Sequence, residues 1–102
     1  MKQDEVREQL GVHRQQIDAV DVRILALLNE RTRIVQEIGR IKQFAAMPVY
    51  EPKREDQVFR NVTENNSGPL SNEAVRRVFE RIIDEMRTVQ QARMNQEGKS
   101  CS

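Results

Sequence analysis

Residues 4–44 read DEVREQLGVHRQQIDAVDVRILALLNERTRIVQEIGRIKQF, a run without proline. Alternating steps of four and three along it reach Leu10, Arg14, Ile17, Asp21, Ile24, Leu28, Arg31, Val35, Ile38 and Lys42. Six of these are aliphatic and recur with the period of a helix face. Four are charged, and three of those are cations. Cations on an inward face need partners, because burying an unpaired charge is costly. Their spacing along an apolar seam points to a small anion held inside a helical bundle.

The remaining chain supplies two further helices. Met47-Pro48-Val49 is predicted to be extended, since a residue before proline avoids the helical region. Glu51-Pro52 opens a second helix, with proline at a position whose N–H has no partner anyway. It runs to about Asn65, with an inward face of Glu51, Arg54 or Glu55, Val58 and Val62, and Phe59 at the flank. Asn65-Asn66-Ser67-Gly68-Pro69 is a stop and turn. Ser71 then caps a third helix, with Glu73 in its first turn. The third apolar stripe is Val75, Val78, Phe79, Ile82, Ile83, Met86, Val89 and Gln90. The domain is predicted to cover 1–95, with 96–102 a disordered tail.

The expected fold is therefore all-α, with helices long, short and long. The first helix would span on the order of 60 Å, whereas a globule of this length has a radius of gyration of about 13 Å. Two shorter helices of one chain cannot cover that seam. A second copy is the simplest cover, which predicts an interlocked homodimer. Gly11 costs the first helix about 1 kcal/mol against alanine, so fraying before it is expected. The alternative to the dimer is a monomeric three-helix bundle with the first helix kinked, Gly11 being the one breaker within the seam.

Composition narrows the function. The chain has 102 residues, a net charge of +1 and only 4% aromatic residues. It offers neither a global field for nucleic acid or an anionic membrane nor stacking platforms for bases. No apolar stretch approaches the ~20 residues of a membrane span. The N-terminal residues lack the apolar core of a signal peptide, so a cytoplasmic location is expected. The single cysteine, Cys101, cannot form an internal disulfide. The single histidine, His13, lies off the seam without a second His or Cys near it, so no metal or other cofactor is expected.

The interior polar groups are Arg14, Arg31 and Lys42 on the first helix, Arg54 and Glu55 on the second and Gln90 on the third. Arg14 and Arg31 are seventeen residues apart, or about 25 Å along one helix. Both cannot touch one small ligand from the same helix. With antiparallel first helices in a dimer, Arg14 of one copy can approach Arg31 and Lys42 of the other. Arginine forks match carboxylates, and no glycine-rich phosphate loop is present. A small dicarboxylate is the expected ligand. With no Ser-His-acid set, no plausible thiol nucleophile and no metal, catalysis here would rest on positioning and fixed charge.

These residues resemble the all-helical class of chorismate mutases. The resemblance covers about residues 7–93. It rests on Arg14-Gln-Gln-Ile-Asp-Ala-Val-Asp21, Leu27-Leu-Asn-Glu-Arg31, Ile38-Gly-Arg-Ile-Lys42, Pro48-Val-Tyr-Glu-Pro-Lys-Arg-Glu55, and Ile82-Ile with Gln90 eight residues after Ile82. No single piece is specific, but the ordered set is. The resemblance implies an interlocked dimer with two active sites, performing the Claisen rearrangement of chorismate to prephenate. That step lies in the shikimate pathway, at the branch toward phenylalanine and tyrosine. It further implies that Arg14 of one chain, with Arg31 and Arg54 of the other, holds the two carboxylates. Lys42 and Gln90 would donate to the ether oxygen, and Glu55 would bind the ring hydroxyl. Two positions depart from the best-known bacterial pattern. Glu51 stands for an aspartate near the hydroxyl, and Met86 for a serine that contacts a carboxylate. Asp21 would either orient an arginine or sit at the dimer seam. Two other readings stay open: an isochorismate pyruvate-lyase, which shares fold and cationic pocket, and a non-catalytic helical dimer that binds an anion.

Overall fold

The structure is a computed structural model that describes residues 2–92 in full and the helical backbone as far as Ser100. The tail expected over 96–102, with Cys101, falls outside the residues described in full. Among the described residues the elements are three helices and no strand: α1 (Gln3–Phe44), α2 (Pro52–Glu64) and α3 (Asn72–Ser100). The order long, short, long is the one the sequence predicts. The chain divides into two units, 1–33 and 34–102.

The first unit is the N-terminal part of α1. Asp4 and Glu5 occupy its first turn, where negative charge offsets the helix dipole. Helix continues through Gly11 without a break, so the fraying expected before Gly11 is not observed. Val6, Leu10, Ile17, Val20, Ile24 and Leu27 are exposed in the single chain. His13 is also exposed, its Nδ1 2.9 Å from Gln16 Oε1, in keeping with its place off the apolar seam.

The second unit holds the end of α1, α2 and α3. The α1 end closes on itself. Met47 N–H donates to the Lys42 carbonyl at 2.7 Å, and Ala46 N–H donates to the Gln43 carbonyl at 3.2 Å. Ala46 sits between these bonds with φ 55°. This is the paired-bond cap in which one left-handed residue satisfies two terminal carbonyls. The chain then reverses through Pro48 to Glu51, and α2 begins with Pro52. Ser71 Oγ accepts the Ala74 N–H at 3.1 Å, capping α3 as predicted.

α2 packs on α3, and the buried apolar side chains are Val35, Phe59, Ile83 and Met86. Two details correct the predicted faces. Phe59 is the buried residue of α2, with Val58 and Val62 half-buried beside it, so the aromatic ring is central rather than flanking. The Arg76 guanidinium covers that ring, 4.3 Å from its centroid. On α1, Ile38 is 41% exposed while its neighbour Gly39 is buried. A Cβ on Gly39 would stand 3.4 Å from Gln90 Cγ, so the glycine makes room for a side chain of α3. No helix among the described residues is long and apolar enough to cross a membrane.

Candidate active site

Lys42 lies in the last turn of α1 and is 8% exposed. Its Nζ is 2.5 Å from Glu51 Oε1 and donates to the Val49 carbonyl at 3.3 Å. The α1 cap brings both partners back to it by reversing the chain. An ammonium has three protons to donate. Glu51 and Val49 take two, which leaves one for a ligand. The carboxylate also offsets the cost of burying the charge. Glu51 is the N-cap residue of α2, yet its side chain makes no capping bond, because it is committed to Lys42.

Gln90 is likewise 8% exposed. Its Nε2 reaches the Val35 carbonyl only at 3.5 Å, a long contact at the limit of a hydrogen bond. An amide nitrogen has two donors, so this arrangement leaves donor capacity. Among the described residues, Lys42 and Gln90 are the buried polar side chains. Both belong to unit 34–102. Met86 is buried one turn before Gln90; its thioether has no proton to donate to a carboxylate.

Glu55, in the first turn of α2, is half-buried, whereas Arg54 is exposed. This resolves the predicted alternative for the inward face in favour of Glu55. Arg54 Nη1 makes only a 3.5 Å contact with Gln57 Oε1 on its own helix. Glu55 meets Arg87 of α3. Arg87 Nη2 donates to Oε1 at 3.2 Å, and Nε lies 3.2 Å from Oε2. The second approach is an ion-pair contact without hydrogen-bond alignment, since the buried Nε has no hydrogen-bond partner. The Arg87 guanidinium also stands 5.6 Å from the centroid of the Tyr50 ring.

Arg14 and Arg31 belong to unit 1–33; Arg14 is exposed and Arg31 half-buried. The second unit thus joins Lys42 to Glu51 and sets Gln90 against Val35 and Gly39. Sequence reasoning missed Gly39 and Arg87. A glycine inside a helical pattern, away from its end, signals close approach of another element. For Arg87 the only signal is its place on α3, four residues after Ile83 and three before Gln90. Among the described residues no group of His, Cys, Asp and Glu is arranged to hold a metal ion.

Comparison with known proteins fits this geometry. The chorismate mutase type II family profile matches residues 13–91. A bifunctional chorismate mutase/prephenate dehydratase of Neisseria gonorrhoeae is 41% identical over 85 residues, covering 83% of this chain and 23% of that protein. The Escherichia coli protein of the same name is 34% identical over 84 residues, covering 81% of this chain and 22% of its own. The chain thus spans under a quarter of the length of these curated relatives. Solved structures match over nearly their full length. A chorismate mutase from Thermus thermophilus gives a TM-score of 0.80 at 36% identity, covering 81% of this chain and 94% of that one. A Helicobacter pylori chorismate mutase in complex with prephenate gives 0.81 at 27% identity, covering 86% and 96%. By the family profile and these relatives, the chain belongs to the chorismate mutase type II family.

Proposed function

We propose that this chain converts chorismate to prephenate in the cytoplasm, as a homodimer with two shared active sites, at the branch toward phenylalanine and tyrosine. The observation that carries the reading is the burial of Lys42 and Gln90, the two donors that the reaction requires. In the Claisen step the C–O bond of the enol ether breaks as a new C–C bond forms. No proton is transferred and no covalent enzyme intermediate arises. Negative charge grows on the ether oxygen, so donors aimed there stabilise the transition state more than the ground state. Lys42 has a proton left after Glu51 and Val49 are served, and Gln90 has an uncommitted N–H.

The carboxylates of chorismate need cations. Arg31 and Arg54 of one chain, with the partner subunit's Arg14, supply them and hold the folded, reactive conformer. Glu55 accepts the ring hydroxyl, with Glu51 nearby. Met86 replaces a donor by a thioether, so one carboxylate is gripped more loosely. The dimer is supported by the apolar side chains of residues 2–33. Val6, Leu10, Ile17, Val20, Ile24 and Leu27 are all exposed in one chain. Burying such a side chain fully is worth about 1.5–3 kcal/mol, so covering six half-exposed ones contributes on the order of 5–10 kcal/mol. Asp21 lies on the same stretch and is exposed in one chain, as a dimer-seam position requires.

Incubation with chorismate, followed by its absorbance and by identification of the product, tests the activity. Prephenate is expected. Salicylate and pyruvate from a parallel incubation with isochorismate would indicate the pyruvate-lyase instead, and binding of chorismate without turnover would indicate a non-catalytic anion-binding dimer.

A further inference from the structure

We propose that Arg87 is a positioning residue, which holds the Glu55 carboxylate in place and neutralises it so that a dianionic substrate can approach. The inference rests on the mutase reading above and extends it to a residue outside the donor set. Arg87 lies on α3 between Met86 and Gln90, and its Nε is fully buried. Its two contacts with Glu55 are both 3.2 Å, one to each carboxylate oxygen. Glu55 is the more buried partner, with a side chain 20% exposed against 37% for Arg87. A solvated surface pair has neither feature.

An unpaired carboxylate beside a dicarboxylate ligand would repel it across a few ångströms of reduced dielectric. Arg87 removes that repulsion. It also fixes the direction of the Glu55 oxygens. A carboxylate has about four lone-pair sites, and Arg87 occupies at most two of them. Sites remain for a hydroxyl proton. The stack of the guanidinium on Tyr50 ties the same clamp to the connection between α1 and α2. Arg87 therefore acts on the substrate only through Glu55.

This predicts an interaction that a merely structural role does not. Arg87→Met should raise KM about tenfold with kcat within about threefold of the parent, the pattern of lost uniform binding. Glu55→Gln alone should weaken binding. Added to Arg87→Met, the same change should restore KM to within about threefold of the parent, because the uncompensated charge is gone while an acceptor remains. Arg87→Lys keeps the charge without the fork and should fall between; it carries the test should the methionine variant fail to fold by circular dichroism. An unchanged KM in both Arg87 variants overturns the proposal. So does a double variant whose losses simply multiply. A parent protein that does not turn over chorismate overturns the mutase reading itself, an outcome seen before any variant is compared.

Discussion

The Lys42 carbonyl accepts the Met47 N–H at 2.7 Å, with Ala46 between them in the left-handed region at φ 55°. One residue thus presents both its backbone and its ammonium to the connection that follows α1. The cap is made by an alanine where glycine is the usual choice.

Replacing Ala46 with glycine should therefore stabilise the protein. The left-handed conformation costs a non-glycine residue about 1–2 kcal/mol. Glycine loses part of that gain to the greater freedom of its unfolded chain. The expected net gain is about 0.5–1 kcal/mol, read as a higher denaturation midpoint at fixed protein concentration, with activity unchanged. A lower midpoint would mean that the cap does not form in solution.

Gly39 should tolerate alanine and reject valine. The alanine Cβ would meet Gln90 Cγ at 3.4 Å, an ordinary contact, and gains about 1 kcal/mol of helix propensity. Valine projects further carbons into the space of Gln90. Overpacking of this kind costs about 1–3 kcal/mol, and displacing the donor should lower kcat by about a hundredfold. Paired melts and steady-state kinetics on the two variants check both halves. Equal activity of parent and valine variant would place Gln90 outside the chemistry.

Gln90→Glu should convert a pH-insensitive site into one that needs acid. In the proposed mechanism the amide donates to the ether oxygen at any ordinary pH, whereas an ionised carboxylate can only accept. Only the protonated acid replaces the amide, so kcat/KM should be poor at neutral pH and rise as pH falls. Rates from about pH 4 to 8, a window that spans the reference glutamate value of about 4.3, give the profile. A curve parallel to the parent's would show that Gln90 does not face the breaking bond.

The proposed sharing of sites between subunits predicts complementation. Arg14→Ala and Lys42→Ala should each be nearly inactive, the second by about 10²–10³ in kcat. A mixed dimer would contain one site with both residues intact. Random reassortment after joint refolding should recover about a quarter of the parent activity. Failure to recover activity, with mixed dimers demonstrated by mass spectrometry, would place Arg14 and Lys42 of the same chain in one site.

Fold and association should be inseparable. The denaturation midpoint should rise with protein concentration across a hundredfold range, by mass action. A constant midpoint with a compact monomer in solution would remove the argument from the exposed seam.

Much of this architecture is legible in the sequence because it is written in local punctuation. The proline-free 3/4 repeat sets α1, Pro52 and the Asn65–Pro69 turn bound α2, and Ser71 starts α3. What is not legible depends on contacts between elements. At 3.6 residues per turn, Val58 and Phe59 lie near the same face, and packing against α3 decides which is buried. Ile38 and Gly39 pose the same ambiguity, which Gln90 settles. Nothing about an alanine announces a left-handed backbone, so the α1 cap is invisible before the fold is known. Arg87 reads as an ordinary solvated cation until Glu55 is found opposite. Among the site residues, the buried donors are the legible part; their supporting shell is not.

The α1 cap has a consequence for insertions and deletions. From the Lys42 carbonyl the chain turns at Ala46 and returns the Val49 carbonyl and the Glu51 carboxylate to the ammonium of the same residue. The segment is a closed loop with its two ends fastened to one lysine, so its length is set by chemistry rather than by the distance between two helices. Surface loops ordinarily absorb an added residue at small entropic cost. Here one residue more or less would strip the lysine of its partners, so a change in the length of this short connection is expected to act on the proposed site as directly as a substitution of Lys42.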